Sequence, residues 1–149
     1  MKVCGVDIKG SEAIIAVISY DRGLIDIDEV RLRKLTLHYD KDAEKLQAFQ
    51  NTFKKFLDDY KIERVVIRER PQKGKFAGGA IGFKIEAALQ LITDVQVEFI
   101  SPTQSKELIK KNPIVVDIRD TGLKQFQELA FSTAYSYVMK TKYISDEDI

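Results

Sequence analysis

A single cysteine in 149 residues, Cys4, excludes an internal disulfide and a zinc site built on cysteine. It reads instead as a small buried strand residue. The single histidine, His38, stands alone and reads as an ordinary strand-end residue rather than a ligand. No apolar run approaches the roughly 18 residues of a membrane span, because charges interrupt every candidate. The start Met1-Lys2-Val3-Cys4-Gly5-Val6-Asp7 sets an acid directly behind a short apolar stretch, so it does not read as a secretory leader. Excess charge is missing too. With 24 basic and 23 acidic residues the net charge is +1, and composition alone does not advertise a nucleic-acid binder. No linker, repeat or low-complexity tract divides the chain. The expectation is a cytoplasmic protein folded as one domain over residues 1–149.

What is present is globular: 44% hydrophobic and 32% charged residues. Residues 2–7 read as a first strand, and the unbroken apolar run 13–18 as a second strand covered on both faces. A third strand is predicted over 24–37, with its apolar phase slipping near Asp28-Glu29 as at a bulge. Leu46, Phe49, Phe53, Phe56, Leu57 and Tyr60 recur every three or four residues, which predicts an amphipathic helix capped by Asp42. A strand at 64–69, a helix through Ile81, Ile85, Ala88 and Leu89, and a strand at 95–100 follow. A short helix then opens at Ser101-Pro102-Thr103. A last helix is predicted from about Thr121 to Met139, with the stripe Phe126, Leu129, Ala130, Thr133, Ala134, Tyr137 and Val138. Three hairpin-joined strands followed by strands alternating with helices define an α/β fold around a mixed five-stranded sheet.

Chemistry is expected at the carboxyl ends of strands. Asp7 ends the first strand and Glu69 the fourth, while Glu128 lies near the start of the closing helix. Three carboxylates meeting at one rim would suit Mg²⁺ or Mn²⁺, because hard cations take oxygen ligands. Each acid also has a plainer reading: Asp7 as a turn cap, Glu69 as a solvated ion-pair partner of Arg68 or Arg70, Glu128 as a surface glutamate. Asp117 and Asp120 compete with Glu128 for third place. Seven bases between Lys61 and Lys84 form a local basic segment, in which Arg70, Lys73 and Lys75 are candidate phosphate contacts. The run Gly74-Lys75-Phe76-Ala77-Gly78-Gly79 is not a P-loop, since Ala80-Ile81 follows where lysine and serine or threonine belong.

The three-strand start with Gly5-Val6-Asp7-Ile8-Lys9-Gly10, the strand ending in Glu69 and the segment Gln127-Glu128-Leu129-Ala130 resemble the ribonuclease H-like fold. Within it they are most similar to Holliday-junction resolvases of the RuvC type. Ile100-Ser101-Pro102-Thr103-Gln104-Ser105-Lys106 is similar to the segment after the fifth strand of those enzymes, which implies that Lys106 lies near nucleic acid. Over nearly its whole length the chain also resembles a small bacterial family of unknown function. The resolvase resemblance implies a metal-dependent nuclease acting on structured DNA or RNA, with Asp7, Glu69 and Glu128 as catalytic residues and ligands of Mg²⁺ or Mn²⁺. The chain departs from that pattern in carrying Gln125 and Glu128 where the resolvases carry aspartates spaced by three. The alternative is a non-catalytic ribonuclease H-like binding module. Expected partners are structured nucleic acid and, as an open alternative, a second copy of the chain in a homodimer, with no membrane.

Overall fold

The computed structural model describes residues 1–75 and 77–147, so Phe76 of the glycine-rich loop lies outside the described residues. Strand β1 (Lys2–Lys9) pairs antiparallel with β2 (Glu12–Asp21), from Lys2↔Ser19 to Lys9↔Glu12. The reversal turns on Gly10 at φ 57°, a left-handed conformation that glycine enters without a Cβ penalty. Asp7 faces Ile14 within this ladder, so it belongs to the strand and does not cap the turn.

The third predicted strand is two strands. β3 (Leu24–Ile27) and β4 (Lys34–Thr36) both pair antiparallel with β2, which makes the sheet six-stranded rather than five-stranded. Local charge explains the break. The Asp28 carboxylate accepts from Ser19 Oγ at 2.8 Å and pairs with Lys2 Nζ at 3.1 Å, and the chain leaves the ladder there. It rejoins β2 through Ile15 N–H, which donates to Arg33 O at 2.9 Å.

β5 (Arg64–Arg68) and β6 (Gln96–Ile100) continue the sheet in parallel with β1, giving the order β3-β2-β1-β5-β6. The carboxyl ends of β1, β5 and β6 therefore share one rim. Helix α1 (Ala43–Asp59) starts where Asp42 accepts from the Glu44 and Lys45 N–H groups, and it buries Phe49, Phe53, Phe56 and Leu57. These pack with Ile85 and Leu89 of α2 (Ala80–Gln90) on Cys4, Val6, Ile8, Val65 and Ile67. Across the sheet, α3 (Pro102–Lys111) and α4 (Glu128–Glu147) cover Val3, Ile14, Ala16, Val66 and Ile100.

The closing helix differs from its expected form. A 3₁₀ turn, Gln125–Gln127, precedes it, and Phe126 and Leu129 of the predicted stripe are 40% and 36% exposed. Ala130, Thr133, Ala134 and Val138 of that stripe are buried as predicted, and Gln127 and Phe131 join them in place of Phe126 and Leu129. Gln127 sets this rotation. Its Nε2 donates to Ile15 O at 2.8 Å and its Oε1 accepts from Lys124 N–H at 2.8 Å. A polar side chain so anchored holds the helix start in one orientation. Small residues then let the helix approach β1. A Cβ on Gly5 would overlap the Ala130 carbonyl oxygen and stand 2.9 Å from Ala134 N and Cβ. Gly5→Ala is expected to destabilise the fold by about 1–3 kcal/mol through overpacking. The measurement is the urea midpoint at unchanged m.

Candidate nucleic-acid interface

Side chains alternate across a sheet, and this parity decides which groups meet at the rim. Val6 and Ile8 point to the α1/α2 side, whereas Val3 and Gly5 face α4, so Asp7 faces α4. On β5, Val65 and Ile67 face α1/α2 and Val66 faces α4, which puts Arg68 on the α4 side. Val6 is level with Ile67 in the parallel ladder, so the next pair along is Asp7 with Arg68. Glu69 falls one residue later, toward α2. Its N–H continues the pairing by donating to Ile100 O at 2.9 Å, and its side chain is exposed.

Asp7 is 5% exposed, and its Oδ2 has no hydrogen-bond partner among the described residues. Burial pushes its carboxyl above the usual range, against the opposing pull of the Lys9, Arg68 and Arg70 charges. The groups that act on it are cations.

Arg70 is held in a cradle. Its side chain is 12% exposed, with Nε 3.6 Å from Glu86 Oε1 and the guanidinium 4.5 Å from the Phe83 ring centroid. Gly78 and Gly82 leave the room, since a Cβ on either would collide with the guanidinium. Glu86 is itself buried, and burial raises its pKa, with the Arg70 charge opposing and the Glu69 charge adding to the rise. Arg70 thus ties the start of the loop 71–79 to α2.

The remaining acids lie apart. Glu128 is the exposed first residue of α4, accepting from Gln125 Nε2 at 2.7 Å. Asp117 is exposed and held below the usual carboxylate range by hydrogen bonds from the Arg119 side chain and N–H, while Asp120 is exposed in the same 3₁₀ turn. No three Asp, Glu, His or Cys side chains among the described residues gather to hold a metal ion. Asp7, Glu69 and Glu128 are not brought together. A divalent cation needs converging oxygens, and the groups acting on Asp7 are a lysine and two arginines, so this donor set does not fit Mg²⁺ or Mn²⁺.

Several bases follow the strand ends of this rim. Lys9 ends β1, Lys73 and Lys75 are exposed on the loop after β5, and Lys106 is exposed on α3, which starts directly after β6. Arg68, Thr103, Lys106, Ile109, Leu129 and Ser132 line a groove between α3 and α4 on the Asp7 side. α3 opens at Ser101, whose Oγ accepts from Gln104 N–H at 3.0 Å. Arg68, Lys9, Glu86 and Gln127 were not singled out from sequence. Period-two alternation through Val66 and Arg68 is the signal that marks Arg68.

This architecture is the ribonuclease H-like fold of the RuvC type. A Thermus thermophilus RuvC structure matches at TM-score 0.68 and 16% identity, covering 96% of each chain. T. thermophilus RuvC in complex with Holliday junction substrate matches at TM-score 0.66 and 17% identity, again over 96% of each chain. Fowlpox virus resolvase in complex with Holliday junction DNA matches at TM-score 0.56 and 18% identity, covering 95% of this chain and 98% of that one. At such identities the likeness is one of fold. No curated protein sequence matches. The chain belongs to the family described as "Protein of unknown function (DUF3010)", matched over residues 1–137.

The buried acid generates a stability prediction. With a folded-state pKa above the unfolded value, Asp7 favours folding fully below the unfolded pKa near 3.9, and that contribution is lost as pH rises through the folded pKa. Asp7→Asn is expected to melt higher than wild type at pH 7. Melts from pH 3 to 8 should show the gap closing in acid.

Proposed function

We propose that this chain is a cytoplasmic protein that binds structured nucleic acid, a branched duplex above all, along the rim formed by the ends of β1, β5 and β6, and that it binds without cutting. One observation carries the reading: the charges that act on the buried Asp7 are Lys9, Arg68 and Arg70, Arg68 shares a groove with Lys106, and no three acidic, histidine or cysteine side chains among the described residues gather to hold a metal. Phosphates seek such a basic edge, and the nearly balanced net charge confines the attraction to it. Two of the solved relatives hold Holliday junction DNA, which supports a branched substrate. Arg70 has a supporting part here, because its contacts with Glu86 and Phe83 hold the loop that presents Lys73 and Lys75. Membrane spanning by helix has no support, since no helix among the described residues is long and apolar enough.

Fluorescence anisotropy with a labelled four-way junction, a matched duplex and a single strand tests this reading. Affinity is expected to rank the junction first and to fall steeply with salt. Replacing Lys73, Lys75 and Lys106 by glutamine should lower the slope of log K against log salt by about 0.9 for each phosphate no longer neutralised. Binding that ignores salt, or no binding to any form, overturns the proposal. Strand cleavage in Mn²⁺, abolished by Asp7→Asn, overturns its non-catalytic part and restores the metal-dependent nuclease reading with Asp7 at its centre.

A further inference from the structure

We infer that Arg68 is a built-in counter-cation for Asp7, standing where a second carboxylate has to stand before this rim can take a divalent metal. The parallel register makes Arg68 the residue level with Asp7, after the pair Val6↔Ile67. Side-chain parity puts both on the α4 face. The position of Arg68 is fixed independently from its other flank, because its cross-strand partner Ile100 packs in the core under α4, and Arg68 itself lines the groove with Lys106 and Leu129. Glu69, the nearest acid in sequence, is turned by the same parity toward α2, where its charge acts on Glu86.

The alternatives for a cation near Asp7 are narrower. Lys9 lies two residues on along β1, on the same face, and its charge acts on Asp7 ahead of that of Arg68, but it is exposed, and a lysine is a flexible point charge free to swing into solvent. Arg70 already faces Glu86 and Phe83 in a cradle that two glycines keep open. Arg68 has no ion-pair partner within 4.0 Å among the described residues, Asp7 included, so its charge acts on Asp7 across a gap wider than a direct ion pair. Its planar guanidinium is committed to no other acid. Asp7 Oδ2 is the buried oxygen on that face without a hydrogen bond. A guanidinium so placed lowers the cost of burying the carboxylate and at the same time repels Mg²⁺ or Mn²⁺. The inference concerns the free protein and does not rest on nucleic-acid binding.

Isothermal calorimetry with Mn²⁺ on the full chain tests it without any substrate. Wild type is expected to give no binding up to millimolar Mn²⁺. Arg68→Glu should gain a Mn²⁺ site with at least a tenfold tighter dissociation constant than any wild-type signal, and Arg68→Glu with Asp7→Asn should lose it. Stoichiometric Mn²⁺ binding by wild type that disappears in Asp7→Asn overturns the inference. So does a folded Arg68→Glu protein, checked by circular dichroism, that binds no Mn²⁺. Should that variant not fold, a double-mutant cycle decides. Arg68→Gln should shift the urea midpoint differently in the wild-type and Asp7→Asn backgrounds, and equal shifts overturn the pairing.

Discussion

The burial of the acid at the rim follows from how closely α4 approaches β1. Gly5 presents no side chain, so the Ala130 carbonyl and the Ala134 methyl lie directly on the strand. β1 is consequently enclosed on both faces, with Val3 through Ile8 all buried. An acid two residues beyond Gly5 on the same face cannot reach bulk water as a strand-end acid normally does. The desolvation of Asp7 is thus a consequence of helix packing as much as of its place at the rim. Gln127 completes the constraint from the other end by tying the helix start to β2 at Ile15 O.

Much of this frame is legible in the sequence because it rests on periodicity. The stripe from Leu46 to Tyr60 identifies α1 and Asp42 its cap, and the apolar runs identify β1, β2 and β5. What fails does so where a polar side chain overrides apolar pattern. Asp28 splits a strand by binding Ser19 and Lys2. Gln127 turns α4 so that it, a polar residue, is buried while Phe126 remains exposed beneath the Lys34 ammonium, 5.6 Å from the ring centroid. A glutamine beside a phenylalanine reads as the outer residue of the two. Only the carbonyl at Ile15, 112 positions earlier, reverses that.

The candidate site shows the same division. Placement of acids and bases near strand ends is visible from sequence, but their faces are not, because strand boundaries carry an error of a residue or more and one residue inverts the face. Glu69 looks like the companion of Asp7 when only nearness to a strand end is counted. Pairing register supplies what counting lacks. Arg70 misleads in the opposite sense: among Lys73 and Lys75 it reads as one more phosphate contact, yet Gly78, Gly82, Phe83 and Glu86 hold it against α2.

Strand parity up to Arg68, and the turn of the loop beyond it, together distribute the charges of this rim. Arg68, Glu69 and Arg70 are consecutive, and as a solvated string their charges would largely cancel. The strand places the first, and the loop after it the other two. Arg68 goes to the α4 face with Asp7 and the Lys106 groove, whereas Glu69 and Arg70 act on Glu86 on the α2 side. On the α4 face Asp7 is buried, Arg68 half-buried and Lys106 exposed. A one-residue slip of β5 against β1 would put Glu69 beside Asp7, repel anions and bring two carboxylates together. The Val3↔Arg64 to Val6↔Ile67 register, held by Val65, Val66 and Ile67 buried on both faces, therefore decides whether a cation or a second carboxylate stands level with Asp7.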